Sequence, residues 1–261
     1  MTTGSRTYPN RLIRLAAPWL VPIGLLLLWQ IFAASGLIPH RILPSPMEVM
    51  QAGFHLTVTG EMPAHLWESS QRAVIGLLIG GTIGFVFALF NGLFGPAHLV
   101  LDSSLQMLRN IPHLAMIPLV ILWFGIGEPA KMFLIVVGVF FPIYVNTVHG
   151  IRSTDPKLIE MGRIYGLTPW ELLITVVLPS ALPSILVGLR YALGIMWLTL
   201  IVAETIACDN GIGYMTMNAR EFLQTDVVLV GILLYALLGK LADTITQALE
   251  RWLLRWNPAY R

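Results

Sequence analysis

From Leu15 to His40, from Ala73 to Leu101 and from Asn110 to Gly127, the chain carries no Asp, Glu, Lys or Arg. Runs of this kind leave few folds open, because a helix of about 20 predominantly apolar residues is long enough to cross the hydrocarbon of a bilayer. The remaining composition agrees. Of 261 residues, 56% are hydrophobic and only 11% are charged, against about 25% charged in an average soluble domain. A soluble surface needs more charge than that. The net charge of +2, on so apolar a chain, excludes disorder, which combines low hydrophobicity with high net charge. It also argues against a polybasic nucleic-acid binder. The single cysteine, Cys208, rules out an internal disulfide and any multi-cysteine metal site. The chain reads as an all-α integral membrane protein.

The charges mark out six transmembrane helices: 17–36, 73–94, 99–124 with a break near Pro112, 131–150, 183–206 and 227–249. Arg6, Arg11 and Arg14 imitate the basic end of a signal peptide, but the apolar run after them is too long and further spans follow, so the first helix is expected to be retained. Gly76, Gly80, Gly84, Ala88 and Gly92 recur every four residues in the second span. Such a ladder lets helix backbones approach closely, and packing within the chain is the expected use. The Lys and Arg bias sets orientation. With the N-terminus inside, the inner segments hold Arg6, Arg11, Arg14, Arg152, Lys157, Arg163, Arg251, Arg255 and Arg261; the outer ones hold Arg41, Arg72, Lys131 and Arg220. The nine-to-four count puts both termini in the cytoplasm. The organisation that follows is a cytoplasmic segment 1–16, a first helix and outer segment 17–64 with an interfacial helix over Ser45–Phe54, a transmembrane domain 65–250, and a cytoplasmic tail 251–261.

The connection between the fourth and fifth spans is longer than a link requires. Asp155-Pro156 is a helix start, an N-cap followed by proline at the first helical position. The helix 156–165 ends at Gly166, the residue type favoured where the chain turns with positive φ. Thr168-Pro169 repeats the start signal for a second short helix, 169–177, which Pro179 is expected to end. Two readings stay open on these residues alone: a knob that fits a groove on a soluble partner, or an amphipathic hairpin lying on the bilayer.

The spacing Glu160-Met161-Gly162, Gly166, Val176, Leu178-Pro179 resembles the "EAA…G…I-LP" signature of the permease subunits of binding-protein-dependent ABC importers. Met161 and Gly162 stand for the two alanines and Val176 for the isoleucine. Arg109 to Gly127 resembles the third helix of the subfamily that imports sulfonates, taurine and nitrate. Ala192 to Glu204 with Gly211-Ile-Gly213 resembles its fifth helix and following loop. Ile42 to Pro46, Asn218 to Asp226 and Leu253 to Tyr260 are most like its aliphatic-sulfonate members. The resemblance implies the type I ABC importer permease fold and a place in the bacterial inner membrane. It also implies Glu160, Met161, Gly162, Gly166, Val176, Leu178 and Pro179 as the ATPase-coupling residues. The implied partners are two ATP-binding subunits, a second copy of this permease, a periplasmic substrate-binding protein and membrane lipid, with no nucleic acid. The implied cargo is an aliphatic sulfonate, with taurine or nitrate as alternatives.

No G-x-x-x-x-G-K-[S/T] is present, so ATP and Mg are expected on the partner ATPase and no cofactor on this chain. The six histidines show no metal-ligand spacing. No G-x-S-x-G occurs, and neither Ser69-Ser70 nor Ser103-Ser104 has a catalytic context. A membrane-embedded enzyme would need clustered acid, base or metal residues within spans, and a channel would leave the loop spacing unexplained. Ionisable groups inside spans are costly and therefore candidates for function. Arg109, beside the broken helix, and Arg190 are candidate cations for an anion's pathway, Arg190 having snorkelling or structural pairing as the favoured alternative. Glu204 is a further candidate for the pathway, pairing with a loop group being the alternative, and Lys240 is expected to pair with Asp243 three residues on. Trp123 and Trp197 are expected to pack or sit at interfaces, with pore lining as the alternative.

Overall fold

The computed structural model describes residues 11–35, 39, 41–93, 103–206 and 209–256, the side chains of 11–19 excepted. Every regular element among them is helical: α1 (Arg11–Ala34), α2 (Pro46–Val58), α3 (Glu61–Leu93), α4 (Ser103–Arg109), a 3₁₀ turn (His113–Met116) leading into α5 (Ile117–Phe124), α6 (Glu128–Arg152), α7 (Pro156–Ile164), α8 (Pro169–Leu172), a π turn (Leu173–Val177), α9 (Leu178–Ile206), α10 (Ile212–Glu221) and α11 (Thr225–Leu253). Cys208 lies outside the described residues.

The core is a three-helix layer with α6 in the middle. Gly76, Gly80 and Gly84 face it from α3, and a β-carbon at Gly80 or Gly84 would stand only 2.6 or 2.7 Å from the carbonyl oxygens of Val136 and Phe140. The four-residue ladder thus packs within the chain. On the opposite side of α6, Gly150 and Gly188 let α9 approach, each leaving room for a carbonyl of the other helix. Ile135, Val139, Ile143, Ala192, Met196 and Leu200 fill the space between. In lipid no hydrophobic drive separates one apolar surface from another, so close van der Waals contact of this kind is what joins the helices. A second cluster, Val49, Leu56, Ile212, Met215, Val230 and Tyr235, packs α2 and α10 against α11. Ser45 caps α2 with a reciprocal bond to Glu48, and the Trp29 indole donates to Pro44 O at 3.0 Å, tying α1 to the start of α2.

Four described helices are long and apolar enough to cross a membrane, and a fifth crossing exists if α4 and the His113–Phe124 segment, bent by 78°, form one broken span. The expected six are therefore not all present by this measure. In α1 the apolar part with described side chains, Leu20–Ala34, falls short of a span. The break itself lies where Pro112 was expected to place it.

Two boundaries differ from expectation. The second span was expected to begin at Ala73, but α3 begins at Glu61. Charge marks the edge of an apolar run without breaking a helix, and no proline or glycine interrupts the stretch between Met62-Pro63 and Gly76. Arg72 and Lys131, counted as outer loop charges, consequently sit inside α3 and α6 and are 5% and 3% exposed. Pro179 does not end the second short helix. The chain continues helically from Pro169 to Ile206, because the π turn at Leu173–Val177 changes the hydrogen-bond register just ahead of it. Pro179 then falls at the second position of α9, where a missing N–H costs little.

Candidate functional site

Three places combine polar chemistry with a defined geometry. The first is the connection between α6 and α9. Asp155 caps α7, its carboxylate accepting from Lys157 N at 2.9 Å. The helix closes with paired bonds: Gly166 N donates to Arg163 O at 3.0 Å and Leu167 N to Gly162 O at 3.1 Å. This is a Schellman turn, and Gly166 sits in it at φ +78°. Thr168 and Glu171 cap α8 reciprocally. The hydrogen bonds that Glu171 accepts from Thr168 N and Oγ1 hold its carboxyl below the usual value.

The two short helices meet at Gly162. It is buried, and a β-carbon there would lie 2.5 Å from Leu172 Cδ1, 3.2 Å from Leu167 Cδ1 and 3.7 Å from Val176 Cγ2. Gly162 and Val176 are thus on the same contact. Leu178 packs against Ile151, Leu173, Val177 and Ala181, which seat the unit on the ends of α6 and α9. Pro179 is half-buried beside it. Glu160 and Met161 are exposed, and Ile164, Tyr165 and Trp170 form an exposed apolar tip.

The second place is the bend after α4. A cavity of about 280 Å³ opens there, lined by Arg109, His113, Gly138, Asn146 and Tyr191 among others. His113 Nε2 lies 2.9 Å from Thr199 Oγ1, hydrogen-bonding the bend to α9.

The third place is a buried ionic cluster at the C-terminal end of α9. Glu204, 1% exposed, accepts from Arg72 Nη1 at 2.8 Å, from Ser69 Oγ at 2.8 Å, from Gly213 N at 2.9 Å and from Tyr235 Oη at 3.2 Å. Arg72 also donates to Glu128 through Nη2 at 2.7 Å and Nε at 2.9 Å, and to the Asn210 side chain. Lys131 Nζ donates to Glu128 at 2.7 Å. One carboxylate and one guanidinium thereby join α3, α6, α9, α10 and α11. A β-carbon on Gly211 or Gly213 would meet Glu204 at 2.5 Å, so the chain entering α10 is built closely around that carboxylate.

The sequence-predicted residues fall unevenly among these places. Arg109 is exposed at the bend. Arg190 is away from the cavity; its Nη2 donates to Glu250 at 2.6 Å and its Nε stands 3.5 Å from Asp243. Lys240 pairs with Asp243 at 3.5 Å. Trp123 is exposed at the end of α5, and Trp197 packs between the two core clusters. Glu204 pairs with an arginine of α3 and not with a loop side chain, because α3 runs three turns further than its apolar run suggests. Ser69, Arg72, Glu128, Lys131, Asn210 and Tyr235 were not singled out as site residues. The visible signals were the placing of Arg72 at the edge of an uncharged run and the three-residue spacing of Glu128 and Lys131. Among the described residues no group of three or more His, Cys, Asp and Glu could hold a metal.

Residues 76–255 match the family described as binding-protein-dependent transport system inner membrane component, and the chain belongs to that family. It is 59% identical over 94% of its length to the putative aliphatic sulfonates transport permease protein SsuC of Escherichia coli, covering 93% of that protein. It is 43% identical to the protein so described in Bacillus subtilis, over 92% of this chain and 87% of the relative. The taurine transport system permease protein TauC of E. coli is 37% identical over 89% of this chain and 86% of its own. Among solved structures, an amino acid ABC transporter chain superposes with a TM-score of 0.63 at 18% identity, covering 76% of this chain and 96% of that one. That likeness is one of fold. The chain is thus an inner-membrane permease subunit of an ABC importer, a transport component and not itself the catalyst.

Proposed function

We propose that this chain forms the translocation path for aliphatic sulfonates, as a pair of copies that docks two ATP-binding subunits inside and a periplasmic substrate-binding protein outside. The observation that carries the substrate is the higher identity to two sulfonate permeases, from distant bacteria, than to a taurine permease. In this reading the chain has six spans with both termini in the cytoplasm, α1 supplying the first and the bent α4–α5 segment the third. ATP and Mg stay on the partner subunits.

The knob is the coupling element. Gly166 turns the chain, Gly162 and Val176 lock α7 to the segment after α8, and Leu178 and Pro179 set both onto α9. Glu160, Met161 and the exposed tip are then presented as a rigid surface to the ATPase. Closure of the ATPases pulls on this surface and rocks the spans between inward- and outward-open states. The cargo-loaded binding protein drives import only by favouring one state over the other.

Uptake of labelled ethanesulfonate, taurine and nitrate, in cells whose growth depends on this system, tests the substrate. Ethanesulfonate uptake is expected. Growth on taurine or nitrate with no alkanesulfonate uptake would refute the sulfonate reading and leave the importer class standing.

A further inference from the structure

Two cavities open on one face of α6. The first, about 280 Å³, lies at the bend after α4; the second, about 250 Å³, lies toward the C-terminal end of α6. They share Arg109 and Val145. On α6 their walls take in Gly138, Pro142, Val145, His149 and Arg152. That spacing of three and four residues is a single helical stripe. Its length from 138 to 152, at about 1.5 Å per residue, is roughly 21 Å, or more than half of the hydrocarbon thickness.

The chemistry of the stripe is one-sided. The polar lining of the two cavities is two guanidiniums (Arg109 and Arg152), two imidazoles (His113 and His149), two side-chain amides (Gln106 and Asn146) and two phenols (Tyr144 and the exposed Tyr191). Among the described residues no Asp or Glu lines either one. Three cations elsewhere in the long helices differ in this respect: Arg72, Lys131 and Arg190 each have a carboxylate within 3 Å. Carboxylates are thus available to the fold, and among the described residues none lines the cavities where α4 faces α6. A small anion entering hydrocarbon loses its hydration and needs donors or cations in exchange. Cationic rings serve this purpose in anion pores, and passage requires sites weak enough to leave.

We propose that this stripe of α6, faced by α4 and the bend, is a two-station anion track, with Arg109 serving both stations and Arg152 standing at the exit. Resting on the importer reading above, it is the inner half of the route taken by the cargo sulfonate. Arg190, held by Glu250 and Asp243, is outside it. Gly138 lets the bend seat against α6, since a β-carbon there would come within 3.4 Å of His113 Nε2 and 3.1 Å of Thr199 Oγ1, which are hydrogen-bonded to each other.

The test places a cysteine at Val145, the residue common to both cavities, in the full complex carrying Cys208→Ser. Its labelling rate is measured with an anionic reagent, 2-sulfonatoethyl methanethiosulfonate, and a cationic one, the 2-trimethylammonioethyl analogue. Each rate is normalised to that of a free thiol in the same buffer. A converging positive field raises the local anion concentration by about tenfold or more, so the normalised ratio should favour the sulfonate reagent by about that factor. Arg109→Gln should bring the ratio near one, and should lower ethanesulfonate uptake while permease abundance and ATPase binding are unchanged. Equal ratios in the parent, or a ratio indifferent to Arg109→Gln, would overturn the track. The labelling ratio does not depend on which anion is carried. If the complex transports no alkanesulfonate but the ratio behaves as stated, the substrate reading fails and the track stands.

Discussion

Two clusters of arginine and carboxylates lie along α9, and they differ in burial. At the C-terminal end, Arg72 and Glu204 are 6% and 0% exposed at the side chain, 2.8 Å apart, and their hydrogen-bond partners come from α3, α6, α10, α11 and the turn at Asn210. Near the middle of the helix, Arg190 is 40% exposed, with Glu250 at 12% and Asp243 at 36%. The bond lengths are alike, and the energetics are not. A buried pair has given up hydration, so losing one partner leaves a charge uncompensated and costs about 3–5 kcal/mol. A half-exposed guanidinium keeps part of its surface open, so its pairs are worth less than the buried one, nearer the about 0–1 kcal/mol of exposed pairs. The first cluster therefore binds five helices into one body. The second is a more open contact between α9 and α11.

The comparison breaks most directly at Glu204. Glu204→Ala removes the carboxylate that Arg72, Ser69, Tyr235 and the Gly213 N–H share, and should cost about 3–5 kcal/mol. A fall in the thermal unfolding temperature of the purified permease, and in its membrane abundance, is the expected result. Arg72→Met/Glu204→Met removes both charges together and should be less damaging than Glu204→Ala alone, because Glu128 keeps Lys131 as partner. A double variant as unstable as the sum of its singles would show that the two residues act independently.

The next effect is on coupling and leaves the fold intact. Gly166 holds φ +78° with open space where a side chain would go, so a substitution there is opposed by backbone strain and not by a clash. A side chain in this region costs about 1–2 kcal/mol, more for a β-branched one. Gly166→Val should abolish uptake while membrane insertion stays normal. Glu160→Lys, at an exposed position, should weaken co-purification of the ATPase without changing thermal stability. Normal uptake by both variants would remove the coupling role from the knob.

Arg190→Gln is the counterpart of Glu204→Ala and should shift stability by about 1 kcal/mol or less, the range of exposed pairs. With Arg190 outside the anion track, uptake should be largely retained. A loss as large as that from Glu204→Ala would erase the distinction between the two clusters.

What was legible in the sequence follows the range of the interactions. The knob was readable because its signals are local: Asp155-Pro156, Gly166 and Thr168-Pro169 each specify a turn within a few residues. The glycine ladder and the break at Pro112 were readable for the same reason. The Arg72–Glu204 contact spans 132 residues, and a sequence without structure offers no rule for choosing that pairing. The boundary of α3 was missed because uncharged runs report the membrane and not the helix. Pro179 misled because a π turn ending two residues upstream changed which N–H groups the helix needs.

The smallest effect compares two turns of like backbone and unlike residue. Leu223 follows α10 at φ 59°, as Gly166 follows α7, and the bonds Leu223 N to Arg220 O and Gln224 N to Ala219 O repeat the same closure. Leu223 is therefore strained where Gly166 is not. Its side chain is 73% exposed, so little packing is lost on removing it. Leu223→Gly relieves about 1–2 kcal/mol of left-handed strain and gives back about 0.5–1 kcal/mol in the entropy of the unfolded chain. The net should be a gain of about 1 kcal/mol or less, seen as a slightly higher unfolding temperature. Leu223→Val should move it the other way. A clear loss of stability in Leu223→Gly would mean that the exposed leucine is held against lipid or another subunit, and that its strain is offset by that contact.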